Sequence, residues 1–446
     1  MSLNLHKLFH NIDASQGLVV AISGGSDSLA LLLLVHAFLG RHPSPPPLLA
    51  VTVDHELRPE AADEALRVAA FCAARGIAHL TLVWSGNKPS HGVSAAARDA
   101  RYDLLAKAAA DFGTNVILTG HTLDDQAETY AMRAARGDGP GLSGMAAATL
   151  FAGKVWIVRP LLAVRRQELR NWLRARDLDL DWIDDPSNQD PAYERVRVRR
   201  ELNEAGIVAL AKKAHAVGAA RIALSNNAAE LIERCAMRIA PGLYRLDRSL
   251  FSGDSEAAGV LALRALLATM GGTPRLPDPA HSLSLFLRLA SGENLRATLS
   301  RTLVDARTSG ICLRREARDL PRLVLDGQPA IWDGRWRIEG PAGLGVAAQG
   351  DEIVENTATG APESLLRAAM AVEPGLFQHE GGADNFIGAA NSPAAMARKL
   401  MATPLVAPFS RFLPGFDLAL AQALGRLVEA PPLAGSPLNN HIRTEA

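Results

Sequence analysis

The chain has only three cysteines, Cys72, Cys235 and Cys312, which are far apart and form no C-x-x-C pair. That spacing excludes a disulfide framework and a cysteine-ligated zinc or iron–sulfur centre, and it fits a reducing compartment. Net charge is also missing: 47 basic and 47 acidic side chains cancel. A polyanionic partner must therefore be met by local patches and not by the field of the whole molecule. Lysine is scarce, with seven residues, and arginine supplies most of the positive charge. Long apolar runs are absent. The most hydrophobic stretch, Leu29 to Leu39, is interrupted by His36 and reaches about half the length of a membrane span. Met1 to Asp13 has scattered polar residues and no continuous apolar segment, so neither a signal peptide nor a membrane anchor is expected, and the reading is cytoplasmic. With 446 residues and a 48% hydrophobic share, the chain has material for real cores and about two to four domains.

What is present concentrates first at residues 17 to 28. An apolar run, Gly17 to Ile22, feeds into Ser23-Gly24-Gly25-Ser26-Asp27-Ser28 and then into an apolar helix. Strand, glycine-rich turn and helix in this order form a phosphate cradle. Adjacent glycines let the backbone approach a ligand with its N–H groups turned inward, and the helix N-terminus adds partial positive charge. Asp27 is the exception in this cradle. A carboxylate beside a polyphosphate is repulsive unless a divalent cation lies between them, which points to Mg²⁺. There is no G-x-x-x-x-G-K-[ST], so the loop is not a Walker A loop. S-G-G-x-D-S resembles instead the PP-loop of the ATP pyrophosphatases, which cut ATP between its α- and β-phosphates.

The first two hundred residues alternate strand and helix patterns. Strands are expected at 18–22, 48–53, 79–84, 116–119 and 155–158, and helices at 29–39, 60–75, 94–112 and 124–135. This repeat predicts an α/β fold, a doubly wound parallel sheet whose ligands bind beyond the carboxyl ends of the strands. Residues 161–240 read as helical and basic, and Pro241-Gly242 as a boundary. The stretch 243–300 reads as helical again, and 301–340 as stranded. From 341 the periodicity is weak. The expected organisation is a PP-loop catalytic domain at 1–215, a helical linker or substrate domain at 216–300 and a mixed α+β region at 301–446.

The chemically interesting residues fall at the predicted ligand edge. Asp54-His55 follows the second strand. A strand-to-helix turn explains Pro59 and Glu60 nearby but not Asp54, His55 and Arg58 together. Gly120-His121 follows the fourth strand and leads into Thr122-Leu123-Asp124-Asp125-Gln126-Ala127-Glu128-Thr129. A capping box of Thr122 and Asp125 accounts for Asp125 alone. It leaves Asp124 and Glu128 unexplained, and three carboxylates on one turn repel unless they hold a cation, either Mg²⁺ or the ammonium of an amine substrate. In Arg98-Asp99-Ala100-Arg101-Tyr102, Arg101 either contacts a phosphate or makes a surface ion pair, and Tyr102 either stacks on a base or fills core. Arginines at 159, 165, 166, 170, 174 and 176, and again at 195, 197, 199 and 200, make positive faces suited to a folded RNA backbone.

These stretches, in this order, resemble the tRNA(Ile)-lysidine synthetase family: S-G-G-x-D-S, D-H-x-L-R, R-x-x-R-Y, G-H-x-x-D-D-Q-x-E-T, R-P-L-L and a D-x-S-N followed by clustered arginines. The resemblance covers the first half strongly. In the second half, only the strand-rich stretch with Trp332-Asp333-Gly334-Arg335 looks similar. Two departures stand out: Asp138 where the family usually has Ser, and Val196 where it often has Asn. The resemblance implies an adenine nucleotide alpha hydrolase-like fold and a ligase. ATP with Mg²⁺ activates the C2 carbonyl oxygen of the wobble cytidine in a tRNA(Ile) with a CAU anticodon, and the ε-amine of free L-lysine displaces AMP. It implies ATP contacts from Ser23, Gly24, Gly25, Ser26, Asp27, Ser28, Asp54, His55 and His121. Metal ligation falls to Asp27 and Asp124, lysine binding to Asp125 and Glu128, and catalytic roles to Asp27, Asp125, Glu128 and Arg199. Contacts to tRNA fall to Arg101, Arg159, Arg165, Arg195, Arg197 and Asn188, and the same resemblance makes residues 216–300 a helical linker or tRNA-substrate domain and 301–446 a tRNA-binding region. A homodimer is the assembly often found among its members.

Three other readings compete. A tRNA thiolase with the same loop needs a reactive cysteine pair, and the cysteine positions disfavour it. An amidotransferase-type synthetase needs an N-terminal catalytic cysteine. A non-catalytic RNA-binding module has no use for Asp27, Asp125 and Glu128 together.

Overall fold

The computed structural model describes residues 3–137, 139–176, 182–183, 190–253, 255–350, 361–380 and 383–439. The chain divides into two units. One comprises residues up to Arg221 together with Pro414–Phe416 and the segment from Ala434; the other comprises Ile222–Leu413 and Asp417–Leu433.

The first unit opens with a short helix, α1 (Leu5–Phe9), and then alternates as the sequence predicts: β1 (Leu18–Ala21), α2 (Ser26–Leu39), β2 (Leu48–Asp54), α3 (Ala61–Ala73), β3 (Ala78–Val83), α4 (Val93–Phe112), β4 (Val116–Thr119) and α5 (Leu123–Ala134). A hairpin follows, β5 (Ala148–Phe151) and β6 (Val155–Val158), and then three helices, α6 (Arg166–Arg174), α7 (Glu194–Glu201) and α8 (Glu204–Cys235), the last continuing from Ile222 in the second unit. The strands stand side by side in the order β5-β6-β4-β1-β2-β3. All neighbours are parallel except β5, which runs antiparallel to β6. The strand β5 is absent from the sequence reading. At four residues, Ala-Thr-Leu-Phe carries too little periodicity to declare itself, and its pairing with β6 makes it a strand.

β1 and β4 are buried along their whole length, as central parallel strands covered on both faces must be. The order reverses at β1, whose neighbours are β2 on one side and β4 on the other. This is the switch point where a doubly wound sheet leaves a crevice for ligand.

In the second unit, Pro241-Gly242 is no boundary. It is the turn of a hairpin between β7 (Ala236–Ala240) and β8 (Leu243–Leu246), with Gly242 at φ +69°. β7 and β8 join β9 (Leu295–Leu299), β10 (Thr302–Arg307) and β11 (Gly310–Arg315) in an antiparallel sheet of order β7-β8-β11-β10-β9. The helices α9 (Glu256–Gly271) and α10 (Pro279–Ala290) share one buried apolar cluster with residues of these strands, including Leu246, Val304, Ile311 and Leu313. Smaller sheets built from residues 323–404 pack around Trp332, Val346 and Leu376.

Candidate active site

The turn after β1 has the shape its glycines predict. Gly24 adopts φ +79°, and a Cβ there would lie 2.5 Å from Ile183 Cδ1. The backbone of Ile183 donates to the Gly24 carbonyl at 3.0 Å, so the chain after α6 closes directly on the loop. Ser28 Oγ donates to the Gly25 carbonyl at 3.0 Å and accepts from the Ser23 N–H at 3.2 Å, which ties the loop into a ring. Asp27 stands in the first turn of α2, next to Ser26, whose hydroxyl donates to Asp27 Oδ1 at 3.2 Å. Gly120, after β4, lies against this turn. A Cβ on it would approach the Asp27 carbonyl carbon to 3.0 Å.

Beside the loop is a cavity of about 530 Å³ lined by Ser23, Gly25, Asp54, His55, Arg58 and Arg101, among others. Its volume lies within the usual range of small-ligand sites. Asp54 Oδ1 accepts from the Glu56 N–H at 2.8 Å and shapes the turn out of β2. His55 Nδ1 is buried and has no hydrogen-bond partner among the described residues. A buried polar atom without a partner at a cavity wall is suited to a ligand group. Burial, helped by the nearby Arg101 charge, holds the His55 pKa down and keeps the ring neutral. Arg101 therefore belongs to this cavity wall and not to a separate RNA face. Tyr102 is core: its ring is buried 5.7 Å from that of Phe151.

The acidic helix α5 begins with the expected capping box. Thr122 N–H and Oγ both donate to Asp125 Oδ2 at 2.8 Å, and Asp125 N–H donates back to Thr122 Oγ at 3.4 Å. The cap leaves the other oxygen of Asp125 for a cation. That cation is the guanidinium of Arg166, the first residue of α6. Arg166 Nη2 donates to Asp125 Oδ1 at 3.0 Å, Nε to Asp27 Oδ2 at 2.8 Å and Nη1 to Glu128 Oε1 at 3.3 Å. Glu128, only 2% exposed, also takes both oxygens' worth of hydrogen bonds from Arg199, at 2.7 and 3.2 Å, and lies 3.7 Å from Arg195. Arg170 adds a contact to Ser26 Oγ at 3.2 Å. Three carboxylates from two helices thus meet one guanidinium at the mouth of the phosphate loop.

The charges respond to one another. Burial raises the Asp27 carboxyl above its ordinary range, and Arg166 only partly opposes it. Burial also works against the Asp125 charge, but Arg166 and the Thr122 donors prevail and hold its pKa below the usual range. His121, hydrogen-bonded through Nδ1 to Thr119 Oγ at 2.9 Å, is pushed down to about 3 by burial and the Arg159 charge.

Several sequence expectations need correction. Asp124 is not placed as a metal ligand. Its carboxylate accepts from Arg165 Nε at 3.2 Å, from Arg165 Nη2 at 3.4 Å and from the Arg166 N–H at 2.8 Å, so it fastens the start of α6. Arg165 is thereby engaged internally and not turned to RNA. Arg159 is 5% exposed, with its Nη1 donating to the Ala146 carbonyl at 2.8 Å and to Thr149 Oγ at 2.9 Å; it is a core arginine. Arg197 donates to the Pro191 and Ala192 carbonyls at 2.7 and 2.9 Å and braces the turn before α7. Arg195 and Arg199 stand on the acidic cluster. Asn188 and Asp138 lie outside the described residues. Val196 is buried on α7, which suits an apolar residue at that position. The loop after α5 is held in place: Arg133 Nη1 donates to the Gly141 and Gly144 carbonyls at 2.6 and 2.9 Å.

Arg166 and Arg170 are the residues of this cluster that the sequence did not place there. Their i, i+4 spacing was visible but read as part of an outward basic face. The signal available was the surplus of negative charge at Asp27, Asp125 and Glu128, which required a cation without saying which.

As to Mg²⁺, no cluster of three or more His, Cys, Asp or Glu suited to a metal occurs among the described residues. A single carboxylate completed by substrate phosphates is an ordinary Mg²⁺ arrangement. Asp27, at the phosphate loop, fits that arrangement; Asp124 does not. Among the described residues no helix is long and apolar enough to cross a membrane.

Comparison with known proteins agrees with this geometry. A PP-loop domain profile matches residues 1–205. The chain is 48% identical to a tRNA(Ile)-lysidine synthase of Mesorhizobium japonicum, over 98% of this chain and 97% of that one. It is 39% identical to the tRNA(Ile)-lysidine synthase of Rhizobium meliloti, over 91% and 90% of the two chains. It is 37% identical to that of Brucella melitensis biotype 2, over 95% and 96%. With the phosphate loop, the switch-point crevice and the acidic helix in place, the chain belongs to the tRNA(Ile)-lysidine synthase family, ATP-using ligases built on a PP-loop domain.

Proposed function

We propose that the chain ligates L-lysine to C2 of the wobble cytidine in a CAU-anticodon tRNA(Ile). The observation that carries this reading is the convergence of Asp27, Asp125 and Glu128 on one cationic group beside the phosphate loop. A polyphosphate cradle alone indicates ATP; a cradle next to a carboxylate trap for a monocation indicates ATP and an amine.

In the first step the cytidine C2 carbonyl oxygen attacks the α-phosphorus of ATP. The bond to the bridging oxygen breaks and pyrophosphate leaves. In the second step the lysine ε-amine, having lost a proton, attacks C2. The C2–oxygen bond breaks, and AMP leaves with that oxygen. The backbone N–H groups of Gly24 to Ser28 cradle the departing pyrophosphate, and the cavity with His55, Asp54 and Arg101 takes the nucleoside part. His121, neutral throughout the working range, donates or accepts a hydrogen bond without competing for the lysine charge. Asp125 and Glu128 bind the ammonium, which displaces Arg166 from them, and one carboxylate accepts the proton that frees the amine for attack. Arg199 and Arg195, which stand on Glu128, supply positive charge for the adenylate. Mg²⁺, held by Asp27 and the phosphates, would neutralise charge on the leaving pyrophosphate. Holding three substrates in line supplies much of the acceleration.

The test uses purified protein, ATP, Mg²⁺, radiolabelled lysine and an unmodified CAU-anticodon tRNA(Ile) transcript, with Asp27→Ala and Glu128→Gln as controls. ATP-dependent label on the tRNA that is lost in both variants is the expected result. ATP–pyrophosphate exchange without label would keep the loop chemistry and refute lysine as the nucleophile.

A further inference from the structure

The five-stranded sheet of the second unit has one face in the apolar core and a second face of opposite character. Register places Arg245, Cys312, Asp305 and Arg296 in one row across β8, β11, β10 and β9. Arg314 and Arg307 stand two residues further along β11 and β10, hence on the same face. These side chains line a cavity of about 440 Å³, closed on another side by the helix α11 (Glu363–Met370) and the residues before it, with Ile239, Pro362 and Leu365 as an apolar wall.

Among the described residues, four guanidiniums meet one carboxylate there. Asp305 is already engaged, accepting from Arg307 Nε at 2.6 Å. Arg245 is anchored by Nη2 on the Ser309 carbonyl at 3.0 Å. Arg314 is only 8% exposed, its Nε is buried without a partner among the described residues, and its Nη1 makes one long contact, 3.5 Å, to the Arg315 carbonyl. Burial depresses the Arg314 pKa and the nearby Arg296 charge adds to this, while Asp305, already paired with Arg307, opposes it only in part. A buried cation beside a second cation, with an unsatisfied donor, is expensive unless an anion completes it.

We propose that this cavity is a phosphate-binding site, with Arg314 and Arg296 as its principal ligands and Arg245 at its edge. Planar guanidinium forks suit a tetrahedral oxyanion. The volume and the apolar wall leave room for a group esterified to the phosphate. The phosphate belongs either to a free small anion or to an RNA backbone, and the experiment separates the two.

Calorimetric titration of the full chain with inorganic phosphate, for the native protein, Arg314→Gln and Arg296→Ala, reads the first source. Binding of an unmodified tRNA transcript over a range of salt concentrations reads the second. Loss of phosphate affinity by about tenfold or more in both variants assigns a free anion. Unchanged phosphate binding with weaker tRNA binding and a salt slope reduced by about one assigns a backbone phosphate. If neither binding changes in either variant, the proposal is overturned. Arg296 is exposed, so its variant keeps the test valid if Arg314→Gln does not fold. ATP–pyrophosphate exchange at saturating tRNA should be unaltered in both, which separates this site from the reaction proposed above.

Discussion

At the scale of single residues, Arg166 decides the most. It is one of few groups that touch both the phosphate-loop helix and the acidic helix, through Asp27, Asp125 and Glu128. Replacing it with methionine leaves three partly buried carboxylates with too little compensation. We expect a stability loss of about 3–5 kcal/mol, read from urea unfolding, as for one partner removed from a buried ionic cluster. Arg166→Lys should recover part of it, because a point charge cannot reach all three acids at once. His121 gives a pH prediction. Its folded-state pKa, about 3, lies below the unfolded value of 6.5. The unfolded chain therefore takes up the proton first. The stability contributed by neutral His121 is complete above pH 6.5 and is lost as pH falls toward about 3. Urea midpoints at pH 7 and pH 5 should drop more for the native protein than for His121→Gln. An identical drop in the two would refute the assignment.

At the scale of elements, two helix starts build the site. The N-terminus of α5 is held by Thr122, which caps the helix and also fixes one oxygen of Asp125. Thr122→Ala should cost about 1 kcal/mol of stability, the usual worth of such a cap. It should also weaken lysine use more than ATP–pyrophosphate exchange, because the freed Asp125 side chain no longer faces the ammonium position. Thr122→Ser keeps the hydroxyl and should preserve both. The turn before α2 depends on Gly24. Alanine there combines a left-handed φ of +79° with a Cβ 2.5 Å from Ile183 Cδ1. ATP–pyrophosphate exchange by Gly24→Ala should fall by more than about tenfold while the fold, read by circular dichroism, persists. Exchange at the native rate would show that the loop tolerates the side chain.

At the scale of the molecule, each unit carries its own buried charge cluster. In the second unit the Trp332-Asp333-Gly334-Arg335 motif is structural. Asp333 is buried and accepts from Arg315 at 2.9 and 3.1 Å and from Arg335 Nε at 2.7 Å, while Arg301 also pairs with it. Arg335 Nη1 continues to Glu373 Oε1 at 2.5 Å. Gly334 has no room for a side chain, since a Cβ would fall 2.1 Å from the Gly272 carbonyl oxygen. Asp333→Asn removes the shared anion from two buried arginines and should destabilise the chain by about 3–5 kcal/mol, measured by denaturant unfolding. A loss below about 1 kcal/mol would mean the cluster is relieved by water.

The sequence by itself determined the alternating strands and helices from β1 to α5 and the glycine-rich turn after β1, because these rest on short-range rules. Apolar runs of period two and 3.6, glycines at a strand end and a Thr/Asp cap act within a few residues of one another. Ser23 to Ser28, the Thr122–Asp125 box and the parallel βα order were all legible on that basis. Only the tertiary structure decided what the arginines do. Arg159, Arg165, Arg166 and Arg199 look alike along the chain, yet one is buried in the core, one fastens Asp124, one bridges three acids and one clamps Glu128. A long charged side chain reads the same in sequence whether it meets water or a carboxylate 38 or more residues away. Its partner is fixed by sheet order and helix packing, which bring residues 27, 128, 166 and 199 to one point.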